Sequence, residues 1–197
     1  MQNIFSALGN PFTKLHVTVT LFVHWLYYQE IPTSRQDWVR LSLVYDSSYW
    51  ADACIHICIR AYGFGDRFVI PAFSRASNNL IAQQNPTRYY FDPLGRISIE
   101  YAFETIPLDR VILQRLVDWY CECWRATSYH FDATTLASLP DEFLRRVMGR
   151  LHESKMMTMA EGLKKCCYLE HASDEEKKEC GALHMRYDEE HAIATFQ

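Results

Sequence analysis

The 197-residue sequence predicts a mainly α-helical fold, with a remnant of α+β character, built round one core and carrying an appended tail. Three observations predict it. Seven Gly and seven Pro are too few for an all-β design, which needs a turn about every ten residues. Apolar side chains recur every three or four positions in several stretches, the period of a helix with one buried face. Hydrophobic residues at 49% against charged residues at 22% supply enough apolar surface for a core and exclude wholesale disorder.

Residues 1–14, with Gly9, Asn10 and Pro11, show no sustained period and read as an irregular lead-in, with the first unit drawn as 1–20. Val19, Phe22, Val23, Trp25, Leu26 and Tyr27 then fit a buried helix from Leu21. The alternation of Val17, Val19 and Leu21 leaves its first turn open to a strand. The helix must end before Pro32, because the residue ahead of a proline disfavours αR, and a short edge strand or loop follows. Thr33 or Ser34 can cap the next helix, with Asp37 in its first turn. From Ala51 to Phe68 apolar residues fall almost all round the helix, including Cys54, Ile57, Cys58, Ala61 and Tyr62, which predicts burial. Pro71 stops it, and Phe73, Ala76, Leu80 and Ile81 form a second helix ending near Asn85 and Pro86, so the two pack as a hairpin.

Arg88 to Ser98, holding Asp92, Pro93 and Gly95, reads as a loop, and a new helical turn begins at Ile99. The clearest amphipathic helix follows Asp109. Val111, Ile112, Leu113, Leu116, Val117, Tyr120, Cys121 and Trp124 share its apolar face, and Asp118, Glu122 and Arg125 lie on the other side. Pro140 suits the first turn of a further helix carrying Phe143, Leu144, Val147, Met148 and Leu151. Ser173 with Glu176 three residues on forms a capping box for a short charged helix reaching about Cys180.

The net charge of −4 is spread over both signs, which offers no basic field for nucleic acid and no polybasic patch for a membrane surface. The most apolar run, Leu15 to Tyr28, is broken by His16, Thr18, Thr20 and His24 and is too short to span a bilayer. Seven cysteines, an odd number, with no secretory leader ahead of them, predict a reducing compartment, cytoplasm or nucleus.

No Walker loop, nucleophile elbow or His-Glu-x-x-His is present in the sequence, so no enzyme is predicted. Gly63-x-Gly65 lacks the third glycine of a dinucleotide loop and follows a helical pattern, which predicts close helix packing instead. Cys121 and Cys123 stand about 200° apart round a helix, unsuited to one metal, and Cys54 with Cys58 reads as a pair of small buried hydrophobes. The metal candidate is Cys167-x3-His171-x8-Cys180-x3-His184, two pairs each spaced by one helical turn, with Cys166 and His191 as spares. Zinc takes four such ligands tetrahedrally and would stabilise a short tail. Structural zinc and a plain surface helix with free cysteines both remain open.

Several blocks resemble a known family. Phe22-Val23-His24-Trp25-Leu26-Tyr27, Ile31-Pro32, Ala61-Tyr62-Gly63-Phe64-Gly65-Asp66-Arg67-Phe68-Val69-Ile70-Pro71 and Arg75-Ala76-Ser77-Asn78-Asn79 resemble the rear half of a BTB/POZ domain of the kind common in filamentous fungi. Tyr101-Ala102-Phe103-Glu104, Leu116-Val117-Asp118 and Leu139-Pro140-Asp141-Glu142-Phe143-Leu144 resemble the helical extension that follows it. The resemblance implies units at 21–86 and 87–154, after the lead-in and before a Cys/His tail at 155–197. It further implies a non-catalytic protein-interaction module that self-associates or recruits partners, in some members a cullin. Trp25, Tyr27 and Tyr28 are the candidate partner-binding residues. A complete domain of this family has strands and a dimer-forming helix ahead of the Trp-Leu-Tyr helix. About twenty residues stand there, so the front half is expected to be missing or rewritten. Two other readings stay open: a zinc-dependent regulator or small enzyme using the tail, and a truncated product.

Overall fold

In the computed structural model, the described residues are 11–44, 50–83, 93–126, 138–156 and 167–181. Among them the chain forms eight helices and no strand, so the mainly α fold holds. Helix α1 runs over Pro11–Tyr28, α2 over Arg35–Arg40, α3 over Trp50–Arg67 and α4 over Pro71–Gln83. Helix α5 covers Pro93–Thr105, α6 Val111–Ala126 and α7 Asp141–Met156, and α8 covers 174–181.

Helix α1 begins ten residues before the boundary drawn from the sequence, and its opening turn is helix rather than strand. Proline explains the early start: a first helical turn does not use that N–H, and the fixed φ of proline is already helical. The same logic opens α5 at Pro93, inside the stretch that reads as a loop. At its other end α1 is closed by Gln29, in the left-handed region at φ 57°. The Gln29 amide donates to the Trp25 carbonyl at 2.7 Å, and its side chain donates to the Leu26 carbonyl at 3.2 Å. Ser34 caps α2, accepting from the Asp37 amide at 3.2 Å. The connection between α1 and α2 is loop, pinned by the buried Trp38, whose indole N–H donates to the Pro32 carbonyl at 2.6 Å.

The α3–α4 hairpin is the centre of the fold and makes the most extensive helix–helix contact among the described elements. Ile70 N–H reaches the Gly65 carbonyl at 2.7 Å and Val69 N–H the Asp66 carbonyl at 3.2 Å, the paired bonds of a Schellman cap. Val69 sits at the left-handed position of that cap, at φ 56°, where glycine is usual. Gly65 allows the hairpin to close: a Cβ there would lie 3.0 Å from the Ser74 amide nitrogen and 3.2 Å from the Ile70 carbonyl. At Gly63 a Cβ would lie 3.0 Å from the Tyr101 hydroxyl of α5. Both glycines therefore serve close packing.

Phe73 of α4 is wholly buried in an aromatic cluster, its ring centroid 5.2 Å from those of Phe22 and Trp25 and 6.4 Å from that of Phe64. This cluster belongs to a core that gathers α1 through α6, with Leu21, Trp38, Ile59, Tyr62, Ile81 and Leu113 among its members. A smaller core lies between α5, α6 and α7, where Ile99, Val117, Tyr120, Cys121, Phe143 and Val147 meet. Burial of side chains of this size contributes roughly 1.5–3 kcal/mol each. Helix α1 departs from the expected burial. Leu21 and Trp25 enter the core, while Leu15, Val19, Val23, Leu26 and Tyr27 face outward.

Candidate functional site

Among the described residues the tail brings two thiols and an imidazole together, and polar contacts with the helical body hold it in place. Residues 167–173 have no regular structure, and α8 follows them. Ser173 accepts from the Glu176 amide at 3.2 Å, and the Glu176 carboxylate accepts from the Ala172 amide at 2.6 Å. That is a capping box whose return bond lands one residue early.

Tyr168 and Glu170 point the other way, onto the body. The Asn78 side-chain amide donates to the Tyr168 carbonyl at 2.7 Å, and the Glu170 amide donates to Asn79 Oδ1 at 3.1 Å. The Tyr62 hydroxyl donates to the Glu170 carboxylate, and burial together with that carboxylate pushes the phenol pKa up. The Tyr168 hydroxyl donates to Asp118, and its ring lies under the Arg115 guanidinium at 4.6 Å.

Asp118 is the hub of this dock. Its side chain is 4% exposed and accepts from Arg150 Nε at 2.8 Å and from Gln114 Nε2 at 3.0 Å, besides Tyr168. The helical period places Asp118 opposite the apolar face of α6 and so predicts solvent there. Arg150 of α7 and Tyr168 of the tail cover it instead. The burial of Ser77 and Asn78 on α4 is likewise invisible to periodicity. Two adjacent asparagines in a helix, poor helix formers because their side chains compete for the backbone, were the available signal.

Of the four predicted metal ligands, three converge. Cys167 Sγ lies 3.4 Å from His171 Nε2 and 3.6 Å from Cys180 Sγ, and donor atoms of the three residues all fall within 4.8 Å of one another. All three are half-buried. The Cys167–His171 spacing does not act through a helical turn, because that segment is irregular. Its backbone is anchored on Asn78 and Asn79 instead. His184, like Cys166 and His191, lies outside the described residues. Glu176 Oε1 stands 4.0 Å from His171 Nδ1. Burial and the neighbouring Cys167 and Glu176 push the Cys180 thiol pKa up.

The other cysteines with described side chains behave as packing residues. Cys54, Cys58 and Cys121 are buried as thiols, and burial pushes the Cys58 thiol up. His56 and Ser98, 2.8 Å apart between α3 and α5, have the residue types of a base and a nucleophile. They are 1% and 5% exposed, and Arg60 donates to the far nitrogen of His56 at 3.0 Å. That arrangement leaves no approach for a substrate and makes the pair a helix–helix contact.

The three candidate partner-binding residues separate. Trp25 is 6% exposed and stacks on Phe22, which makes it a core residue. Tyr27 and Tyr28 are 81% and 67% exposed, and the Tyr28 ring rests on His24 with centroids 4.6 Å apart. His24 and Tyr28 border an open depression of 460 Å³ whose other walls include Glu30, Asp37 and Arg40. No described helix is long and apolar enough to cross a membrane.

No protein-family model, no curated protein and no solved structure matches the chain.

Proposed function

We propose that the chain is a non-catalytic BTB/POZ-type interaction module that self-associates through the outward ridge of α1. The observation that supports self-association is the ridge itself. Leu15, Val19, Val23 and Leu26 are 38–56% exposed and fall within an arc of about 80° at 3.6 residues per turn. Scattered exposed leucines are ordinary, whereas an aligned stripe marks an interaction surface. Lys14 is the sole Asp, Glu, Lys or Arg in the helix, so the stripe offers a partner shape and apolar area with no charge to match. A second copy of α1 packed antiparallel about a two-fold axis supplies that complement.

The BTB/POZ assignment rests on the resemblance, and two structural features support it. The Trp-Leu-Tyr helix packs on the α3–α4 hairpin, and the Phe-Gly-Asp block ends at the hairpin turn where Gly65 is needed.

Sedimentation velocity over a concentration series tests the reading. A reversible dimer is expected, and Val19→Glu with Val23→Glu should weaken it by about 100-fold or more, since each substitution places an unpaired carboxylate in the contact. Both positions are exposed in the monomer, so its helix content and melting should hold. A wild-type chain that stays monomeric at about 100 μM overturns self-association.

A further inference from the structure

We propose that Cys167, His171 and Cys180 bind a zinc ion that fastens the tail segment 167–181 onto the helical body. Zinc–sulfur bonds of about 2.3 Å and zinc–nitrogen bonds of about 2.0–2.1 Å at tetrahedral angles place two sulfurs about 3.8 Å apart and a sulfur and nitrogen about 3.6 Å apart. The observed separations are 3.6 Å for Cys167 Sγ to Cys180 Sγ and 3.4 Å for Cys167 Sγ to His171 Nε2. Free cysteines on a surface helix have no reason to meet in this way. These two are thirteen positions apart, one in irregular chain and the other near the end of α8, with an imidazole facing the first.

The surroundings also suit a metal. With Nε2 turned to the sulfur, Nδ1 of His171 faces Glu176 Oε1 at 4.0 Å. A carboxylate on that side favours the tautomer that presents Nε2 to a cation and raises its basicity. Glu176 is itself held in place by the Ala172 amide, so the α8 cap and the orientation of His171 depend on one side chain. Two thiols and an imidazole select a soft or borderline cation over calcium or magnesium. Binding displaces one proton from each thiol to solvent and changes no oxidation state.

The ligands and the dock belong to the same short segment. Tyr168 lies next to Cys167, and Glu170 lies next to His171, with both bonded to the body. A segment of this length buries too little to order itself, and a cation closing the loop from 167 to 180 would hold Tyr168 and Glu170 against Asp118 and Asn79. The inference is independent of the self-association reading.

Titration of the full, reduced, metal-free chain with Co²⁺ tests it. The expected result is a sulfur-to-cobalt charge-transfer band with the strong visible bands of a tetrahedral site, saturating at about one ion per chain and bleached by Zn²⁺. Cys167→Ser and Cys180→Ser should each abolish the charge-transfer band while leaving the far-ultraviolet helix signal. Glu176→Gln keeps the capping chemistry and should weaken binding by about 10-fold, which tests the site even if a cysteine variant fails to fold. A wild-type titration without the charge-transfer band overturns the proposal, as does an undiminished band in a folded Cys167→Ser, Cys180→Ser double variant. Isolation of the native chain with a Cys167–Cys180 disulfide overturns it as well.

Discussion

The α3–α4 hairpin and the tail dock are held by opposite kinds of interaction. The hairpin is an apolar contact, centred on the wholly buried Phe73 among Phe22, Trp25 and Phe64. The dock is a set of directed polar bonds in which Asp118, Asn78 and Asn79 hold Tyr168 and Glu170. Apolar packing is non-directional, and its loss is graded by the volume removed. A buried carboxylate loses much of its stabilisation at once when its partners go, and strands them when it goes itself. The hairpin should therefore yield gradually and globally, and the dock abruptly and locally.

The largest test of that contrast is Phe73→Ala. Removing a fully buried phenyl ring costs about 3–5 kcal/mol. Chemical denaturation should show a lower midpoint, and hydrogen exchange should speed up together across α1, α3 and α4. A loss below about 1 kcal/mol, the level of a surface substitution, would show that the aromatic cluster does not hold the body together.

Next in size is Asp118→Ala. It removes the carboxylate that accepts from Arg150 Nε at 2.8 Å, in a pair whose side chains are 13% and 4% exposed, and with it the acceptor of the Tyr168 hydroxyl. Breaking a buried pair from one side costs about 3 kcal/mol. Exchange should rise first in 167–181 and at the α6–α7 contact, with α3 and α4 still protected. Equal deprotection of the hairpin would break the comparison, because the dock would then be part of one cooperative unit.

How far each region is legible in the sequence follows from the same difference. The hairpin is written locally: apolar spacing gives α3 and α4, Pro71 separates them, and Gly63-x-Gly65 marks the close approach. The apolar face of α6, with Ile112, Leu113, Leu116, Val117, Tyr120 and Cys121 buried, and the cap of α8 are local too, and both are found where the pattern puts them. The Cys/His set is legible as spacing, and three of its four members meet. The bonds of the dock join residues 50 to 108 positions apart, and such pairs leave no period. That is why Asp118 reads as a solvent-facing residue, whereas the period does place Trp25 in the core and only the family resemblance makes it a partner contact. Helix starts at Pro11 and Pro93 escape for another reason: a proline near Gly and Asn or Asp carries equal signal for a turn and for a first helical residue.

The smallest effect concerns the hairpin turn and runs in the stabilising direction. Val69 holds a left-handed conformation at φ 56° in the Schellman cap, yet it is 84% exposed. A β-branched side chain there costs about 1–2 kcal/mol in strain, and at that exposure it returns little by packing. Val69→Gly removes the strain and adds backbone entropy to the unfolded chain, which offsets part of the gain. The net expectation is a rise of about 0.5–1 kcal/mol in unfolding free energy, read as a higher denaturation midpoint at unchanged slope. Because the cap closes the hairpin and not the dock, exchange should slow in α3 and α4 while 167–181 stays as it was. A neutral or destabilising result would mean that Val69 packs against something in solution, and the exposed neighbour Phe68, whose ring lies 4.6 Å from Phe64, would then be the place to look for it.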